Sequence, residues 1–344
     1  MAIQILMRLP CNSYAIGTVT VNASLEAEAG GLVGYNLGYI SKCFAIGHIA
    51  DSGTRTYAGG LVGLNNAPIN LASYWNTTSG GSKASGEGTS TGATGLDSAS
   101  MLQSTSFGNF DFTNTWYQYE GYTYPLLRSF LDSLTITAKD TTKIYDGNSF
   151  SGDNGFNYSL PGAAALVFGT SIDTGSSQGA KYPGNNYKIK PSGLWSTQQG
   201  YLITYAVGTL TISPRPISLI GITANKTYDG TTSTILTGTA DIDHSTVVNL
   251  DDVSLAGVAS ATTYTDKNVG THKDLTIAGL SLAGADNGYY KLETTIHTAS
   301  ITPRPITISG VTAADKVYDG TMAAALSIGT LDAITGDDVT LTVG

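Results

Sequence analysis

The chain has 344 residues, enough for two or three domains. Only 12% of them are charged while 41% are hydrophobic, so Thr, Ser, Asn and Gly must supply the polar surface, a mixture that suits strands and turns rather than long helices. The formal net charge of −9, with 17 Lys and Arg against 26 Asp and Glu, argues against nucleic acid as a partner, because phosphates need cationic contacts.

In chain order, residues 1–10 make a poor signal peptide. Their apolar run is broken by Gln4 and Arg8, and no small-residue cleavage site follows. No apolar run approaches the roughly 20 residues of a transmembrane helix. Two cysteines, Cys11 and Cys43, form no C-x-x-C and no zinc ligand set. They read as small apolar core residues, with a disulfide between adjacent coils as the alternative. Ala15-Ile16-Gly17 aligns with Ala45-Ile46-Gly47, which sets Cys43 opposite Ser13 rather than Cys11.

Residues 11–65 hold two copies of one pattern. Gly31-Leu32-Val33-Gly34 returns 29 positions later as Gly60-Leu61-Val62-Gly63. Each copy carries short apolar strands separated by Gly, Asn, Ser or Asp. Strands this short cannot stand alone, so they predict a partial, right-handed parallel β-helix in which Leu32 sits on Leu61 and Val33 on Val62. The glycines allow close corners without a Cβ clash. These blocks resemble the GLUG repeat of bacterial surface proteins.

The stretch that follows resembles the segment closing such arrays: Ser73-Tyr74-Trp75-Asn76, a Gly/Ser/Thr loop, then an aromatic cluster. An exposed solenoid end needs a cover for its strand edges, and Phe107, Phe110, Phe112, Trp116, Tyr122 and Tyr124 are the expected cap. Residues 97–104 predict one or two helical turns with Asp97 as N-cap.

From Leu134 the texture changes to strand-length alternation. Lys143-Ile144-Tyr145-Asp146-Gly147 recurs as Lys226-Thr227-Tyr228-Asp229-Gly230 and Lys316-Val317-Tyr318-Asp319-Gly320. Each Asp-Gly predicts a turn, the carboxylate accepting a nearby N–H and the Gly supplying φ > 0. Each Tyr is expected to pack its ring while its hydroxyl finds a backbone partner. Two near-identical segments, Pro214-Arg215-Pro216 and Pro303-Arg304-Pro305, predict stiff, extended joints between modules. This half resembles the YDG repeats of large bacterial exoproteins.

The expected architecture is therefore all-β: a β-helix fragment over 1–78, a loop and aromatic cap over 79–132, a first YDG-type module over 133–213, a second over 214–303 and a truncated third over 304–344. The modules are expected to be small and β-sandwich-like or β-grasp-like. The third copy ends soon after Asp337-Asp338-Val339, whereas the equivalent Asp251-Asp252-Val253 is followed by further strands. The chain is accordingly expected to be a fragment of a longer parent, with residues 305–344 unstable alone.

Chemistry is scarce. Gly88-Thr89-Ser90-Thr91-Gly92 fits a nucleophile pattern but lies in a loop, outside the strand–turn–helix context that pattern needs. His48, His244, His272 and His297 are dispersed. Glu26 and Glu28 read as the solvated side of a strand rather than a glycosidase pair. Asp241, Asp243, Asp251 and Asp252 form a weak Ca²⁺ candidate without an EF loop. No cofactor and no catalytic residue are expected. The resemblance implies a secreted or outer-surface bacterial adhesin of the filamentous-haemagglutinin type, contacting surface glycans or proteins through many weak sites. The alternatives are a β-helical polysaccharide-cleaving enzyme with accessory modules, and a structural spacer.

Overall fold

The computed structural model describes residues 12–69, 72–152, 155–248, 250–261 and 263–341; Cys11 lies outside them. Every element among these residues is a strand or a short 3-10 turn, so the protein is all-β. Its sheets are small, with two to four strands, and both parallel and antiparallel pairs occur. The chain divides into two compact units. One draws on residues within 1–140, 152–178 and 188–209, the other on 141–151, 179–187 and 210–344.

The first unit opens with eleven short strands: β1 (Tyr14–Ala15), β2 (Val19–Val21), β3 (Ala27–Gly30), β4 (Val33–Asn36), β5 (Phe44–Ala45), β6 (Ile49–Asp51), β7 (Thr56–Gly59), β8 (Val62–Asn65), β9 (Ser73–Asn76), β10 (Ser85–Gly88) and β11 (Ala93–Leu96). All their pairings are parallel. Ala15 lies beside Ala45, Gly30 beside Gly59 and Val33 beside Val62, and the Leu32 N–H donates to Leu61 O at 2.9 Å. This is the register set by the 29-residue repeat. A third layer follows, with Ala45 beside Trp75 and Val62 beside Ser85, and β11 then pairs with β9. Residues 79–96, read from sequence as loop, thus supply two strands. Ser85-Gly86-Glu87-Gly88 has no apolar alternation; it is extended because β8 presents unpaired backbone groups beside it.

Alternation sorts the side chains. Cys43, Ala45 and Trp75 join Ile40, Leu61, Val62 and Ile69 in one buried cluster. Phe44 and Tyr74 point the other way and meet Met101, Phe107, Phe110 and Trp116. Each fully buried large side chain contributes roughly 1.5–3 kcal/mol. Close approach demands glycine at two in-register positions. A Cβ on Gly30 would lie 1.9 Å from Val33 O, and one on Gly59 2.0 Å from Val62 O. The buried Asn36 amide donates to Asn65 Oδ1 at 2.6 Å, and Asn65 in turn donates to Thr89 O, so buried polar groups are satisfied strand to strand.

Five of the six expected cap aromatics gather here, Phe112 and Tyr124 packing at the margin. They lie on the face of the ladder, against Phe44 and Tyr74, and not over its edge; β11 takes the edge of β9. Tyr122 leaves the cluster and stacks on Trp195. The helical turns are 3-10, Ser100–Leu102 and Ser104–Ser106, and the Asp97 carboxylate accepts the Ser100 N–H at 2.6 Å.

The later strands repeat one pairing scheme. Asp132–Ala138 runs parallel to Tyr201–Ala206 and antiparallel to Phe156–Tyr158. Arg215–Thr223 runs parallel to Tyr290–Glu293 and antiparallel to Thr237–Ile242. Thr141–Ile144 pairs in parallel with Gly208–Ser213, as Asn225–Thr227 does with Thr295–Thr302. In the second module two sheets share one core: Leu219 and Ile222 from one face Leu275, Ile277, Ile296, Ala299 and Ile301 from the other. A β-grasp would need an α-helix, and none occurs among the described residues.

The two Pro-Arg-Pro segments differ. Arg215 and Pro216 begin a strand, paired with Tyr290 and Lys291, and are not a free joint; proline is tolerated there because it opens the strand. Residues 303–307 carry no strand. Beyond them, Ile308–Ser309 pairs with Thr330–Leu331 and Thr312–Ala313 with Leu326–Ser327. This hairpin repeats the start of the second module, but its apolar side chains, Ile308 and Leu326 among them, are exposed.

Candidate functional site

The three Lys-x-Tyr-Asp-Gly loops share one construction. Lys226 Nζ donates to Asp229 Oδ1 at 2.7 Å and to Thr231 O at 2.7 Å. The Thr231 N–H and hydroxyl both donate to that same Oδ1 at 2.9 Å. Lys316, Asp319 and Thr321 repeat these contacts at 2.8–2.9 Å. In the first loop Asn148 stands in for Thr, with Lys143 Nζ 2.8 Å from Asp146 Oδ1 and the Asn148 N–H donating to it at 2.9 Å. Gly147, Gly230 and Gly320 have φ of +75°, +76° and +75°, where an L side chain is strained. The Lys226 ammonium holds Asp229 down to about 2, and Lys316 likewise lowers Asp319. Partial burial opposes the effect at Asp146, yet Lys143 and Asn148 keep it below the usual carboxylate range.

Each of the first two tyrosines then reaches into the following module. The Tyr145 ring is fully buried, 5.0 Å from the Tyr289 ring and edge-on to Tyr290 at 5.8 Å. Its hydroxyl donates to a carboxylate and not to the backbone group expected from sequence: it meets Asp251 Oδ2 at 3.0 Å, and the Tyr290 hydroxyl donates to the same oxygen at 2.7 Å. Burial first, and then the carboxylate, raise the pKa of Tyr145, and the same causes push Tyr290 up to about 12. The Tyr228 hydroxyl donates to Asp337 Oδ1 at 2.8 Å, where Lys267 Nζ also donates at 3.0 Å. Tyr228 and Lys267 together lower Asp337.

Asp251 and Asp337 occupy the same place in the repeat, each opening an Asp-Asp-Val turn. The neighbours match too. A Cβ on Gly147 would meet Val248 at 2.5 Å, and one on Gly230 would meet Ile334 at 2.8 Å; each aliphatic residue lies three positions before its aspartate. One joint is therefore built twice from equivalent residues. Tyr318 carries the same loop and is 93% exposed.

The structure uses the four Ca²⁺-candidate carboxylates otherwise and does not gather them. Asp251 takes two tyrosine hydroxyls. Asp252 Oδ2 accepts the Ala285 N–H at 3.0 Å. Asp243 caps Ser245, and Asp241 Oδ1 accepts the Ile242 N–H and lies 3.4 Å from His244. Among the described residues no group of three or more His, Cys, Asp or Glu is placed to hold a metal ion. Gly31, Leu32, Val33 and Gly34 and their counterparts Gly60, Leu61, Val62 and Gly63 lie in the ladder, with Leu61 and Val62 fully buried. Gly88-Thr89-Ser90-Thr91-Gly92 links β10 to β11, with no helix behind it. Cys43 is buried, its Sγ 3.2 Å from Ser41 O. Tyr289, Tyr290 and Lys267 are the joint residues that sequence reasoning missed; their only signal was the placement of Val248 and Ile334 at equal distances before the aspartates.

The fold and the recurring loops define a repetitive all-β protein. A family model, the YDG domain, matches residues 213–298 and again residues 302–344, so the chain is YDG-containing. The first module lies outside that match but carries the same loop. No curated protein and no solved structure matches the chain. Among the described residues, no helix is long and apolar enough to cross a membrane, which says nothing of a β-barrel.

Proposed function

We propose that this chain is a repetitive, non-catalytic part of a bacterial adhesin on the outer surface or in the secreted space, of the filamentous-haemagglutinin type. Its first ladder is a right-handed parallel β-helix of GLUG type, and its YDG modules form a display arm. What supports the reading above all is the joint that recurs in register, Tyr145 to Asp251 and Tyr228 to Asp337. The motif spends its ionisable groups on its own loop and on the next module. That is the economy of an architectural repeat, whereas a catalytic site keeps such groups available to substrate. The parallel pairings at the 29-residue spacing support the β-helix. Tandem units of this kind favour contact by avidity, in which many weak sites on one body raise the effective concentration. Surface glycans and proteins are the partners. The test is an array of glycans and matrix proteins probed with the intact chain, in monomeric and multivalent form. Binding that strengthens with valency is expected. Depolymerisation of a polysaccharide on the same array would replace this reading with an enzymatic one.

A further inference from the structure

One open groove in the first unit combines features that neither the ladder nor the YDG loops need. It encloses about 510 Å³, within the range of about 300–1,000 Å³ typical of small-ligand clefts. One wall carries Tyr14 and Phe44, whose rings stack at 5.2 Å and 8°. The other carries Tyr122 and Trp195, stacked at 5.8 Å and 17°. Phe44 is itself fully buried, so the accessible ring surface at the opening comes from Tyr14, Tyr122 and Trp195. Tyr122 is 54% exposed, although Phe107, Phe110 and Trp116 of the same cap segment are buried.

The wall is held in place independently of any ligand. Gln198 clamps Leu127 at both backbone groups, accepting its N–H at 2.9 Å and donating to its carbonyl at 3.1 Å. The buried Tyr119 hydroxyl donates to Tyr201 O at 2.7 Å and accepts the Ile203 N–H at 3.0 Å. Trp195 is backed by Phe168 at 4.9 Å. Among the described residues, no Asp, Glu, Lys or Arg lines the groove. The hydroxyls of Thr197 and Tyr124 stand at it with no hydrogen-bond partner among the described residues.

We propose that this groove binds a neutral pyranose unit of a glycan, stacked on Tyr122. Aromatic faces are electron-rich and attract the polarised C–H face of a sugar ring, as they do ring edges and cations. Hydroxyls that both donate and accept match sugar hydroxyls. With no cationic side chain in the lining among the described residues, a uronic acid carboxylate would find no charge partner there. An apolar peptide side chain would leave its own backbone N–H groups facing a lining with few acceptors. The proposal rests on the adhesion reading only in naming a surface glycan as the source of the sugar.

The test uses the full chain and its tryptophan emission. Trp75 and Trp116 are 9% and 0% exposed, so a ligand-dependent change reports chiefly on Trp195. The probes are neutral hexose and N-acetylhexosamine oligosaccharides, with a glucuronic acid oligomer and an apolar blocked peptide as the other arms. Saturable binding of at least one neutral oligosaccharide is expected, weakened roughly three- to tenfold by Tyr122→Ala. Phe130→Ala, which removes an exposed ring outside the groove, should leave it unchanged. Thermal melts of both variants should overlay that of the wild type. The proposal falls if no neutral oligosaccharide binds at millimolar concentration, if only the acidic oligomer or the peptide binds, or if Tyr122→Ala binds as well as wild type. If the chain adheres to a surface and Tyr122→Ala adheres equally, this site is wrong and the adhesion reading survives. If an oligosaccharide binds in the groove but no surface is bound, the reverse holds.

Discussion

Tyr145 and Tyr228 stand at the same position of the same loop and donate to equivalent aspartates, Asp251 and Asp337, yet the two joints are built differently. The first is dry and aromatic. Tyr145 is fully enclosed by Tyr289 and Tyr290, and its aspartate is held by two hydroxyls. The second is half-buried and ionic, with Lys267 on the aspartate beside the tyrosine. A repeat motif thus fixes where the hydroxyl goes, while the residues around it set how much the contact contributes. Desolvated aromatic packing outweighs an exposed ion pair.

The largest expected effect is on the first joint. Tyr145→Ala should cost about 3–5 kcal/mol in urea unfolding, by cavity formation and the loss of a partner for Asp251. Tyr228→Ala should cost less than half as much. Equal losses would erase the contrast. Removing only the hydroxyl should shrink both effects while keeping their order: about 1–2 kcal/mol for Tyr145→Phe and below about 1 kcal/mol for Tyr228→Phe.

Solution conditions separate the joints further. A tyrosine whose pKa is raised on folding holds its proton longer in the native state, so its contribution is complete below the ordinary value near 10 and is lost as pH rises through the folded value. With Tyr290 at about 12 and Tyr145 also raised, the first joint should loosen above pH 10, read as alkaline loss of stability that Tyr145→Phe reduces. In 1 M salt, where the screening length is about 3 Å, the Lys267–Asp337 contact should weaken and the first joint should not. Lys267→Met should therefore reduce the salt dependence of stability.

The smallest effect lies within the loops. Asp229 is depressed to about 2, so its contribution is present above pH 4 and lost as pH falls from about 4 to 2, which proton NMR titration of the carboxylate would follow. Lys226→Ala should move the Asp229 titration upward toward the ordinary carboxylate range, with the Thr231 N–H and hydroxyl still lowering it, and cost under about 1 kcal/mol. Amide exchange over residues 304–341, with their exposed apolar side chains, should be fast beside residues 270–283 and 295–302; strong protection there would contradict the exposed hairpin.

What could be read ahead follows distance along the chain. The Asp-Gly turn was legible because its N–H to carboxylate bond spans two residues, whereas the lysine that closes the loop was not foreseen. The ladder register was legible because period and pairing are the same number: Val33 and Val62 repeat and therefore pair. The strands β10 and β11 were not, since glycine-rich segments become extended only when a neighbouring edge takes their hydrogen bonds. Pro214-Arg215-Pro216 looked like a linker and became the start of a strand because Tyr290 and Lys291 came alongside.

By itself, then, the sequence determined an all-β repeat chain, the turn at each Asp-Gly and the stacking of Val33 on Val62, because local hydrogen bonding and periodicity need no distant partner. Tertiary structure alone decided that Tyr145 meets Asp251 across 106 residues, that Tyr228 meets Asp337 across 109, and that Tyr122 turns away from its cluster to stack on Trp195. Such contacts form only when the fold has paid the entropy of closing long loops, and nothing in the local spacing of residues encodes which distant side chain will be waiting.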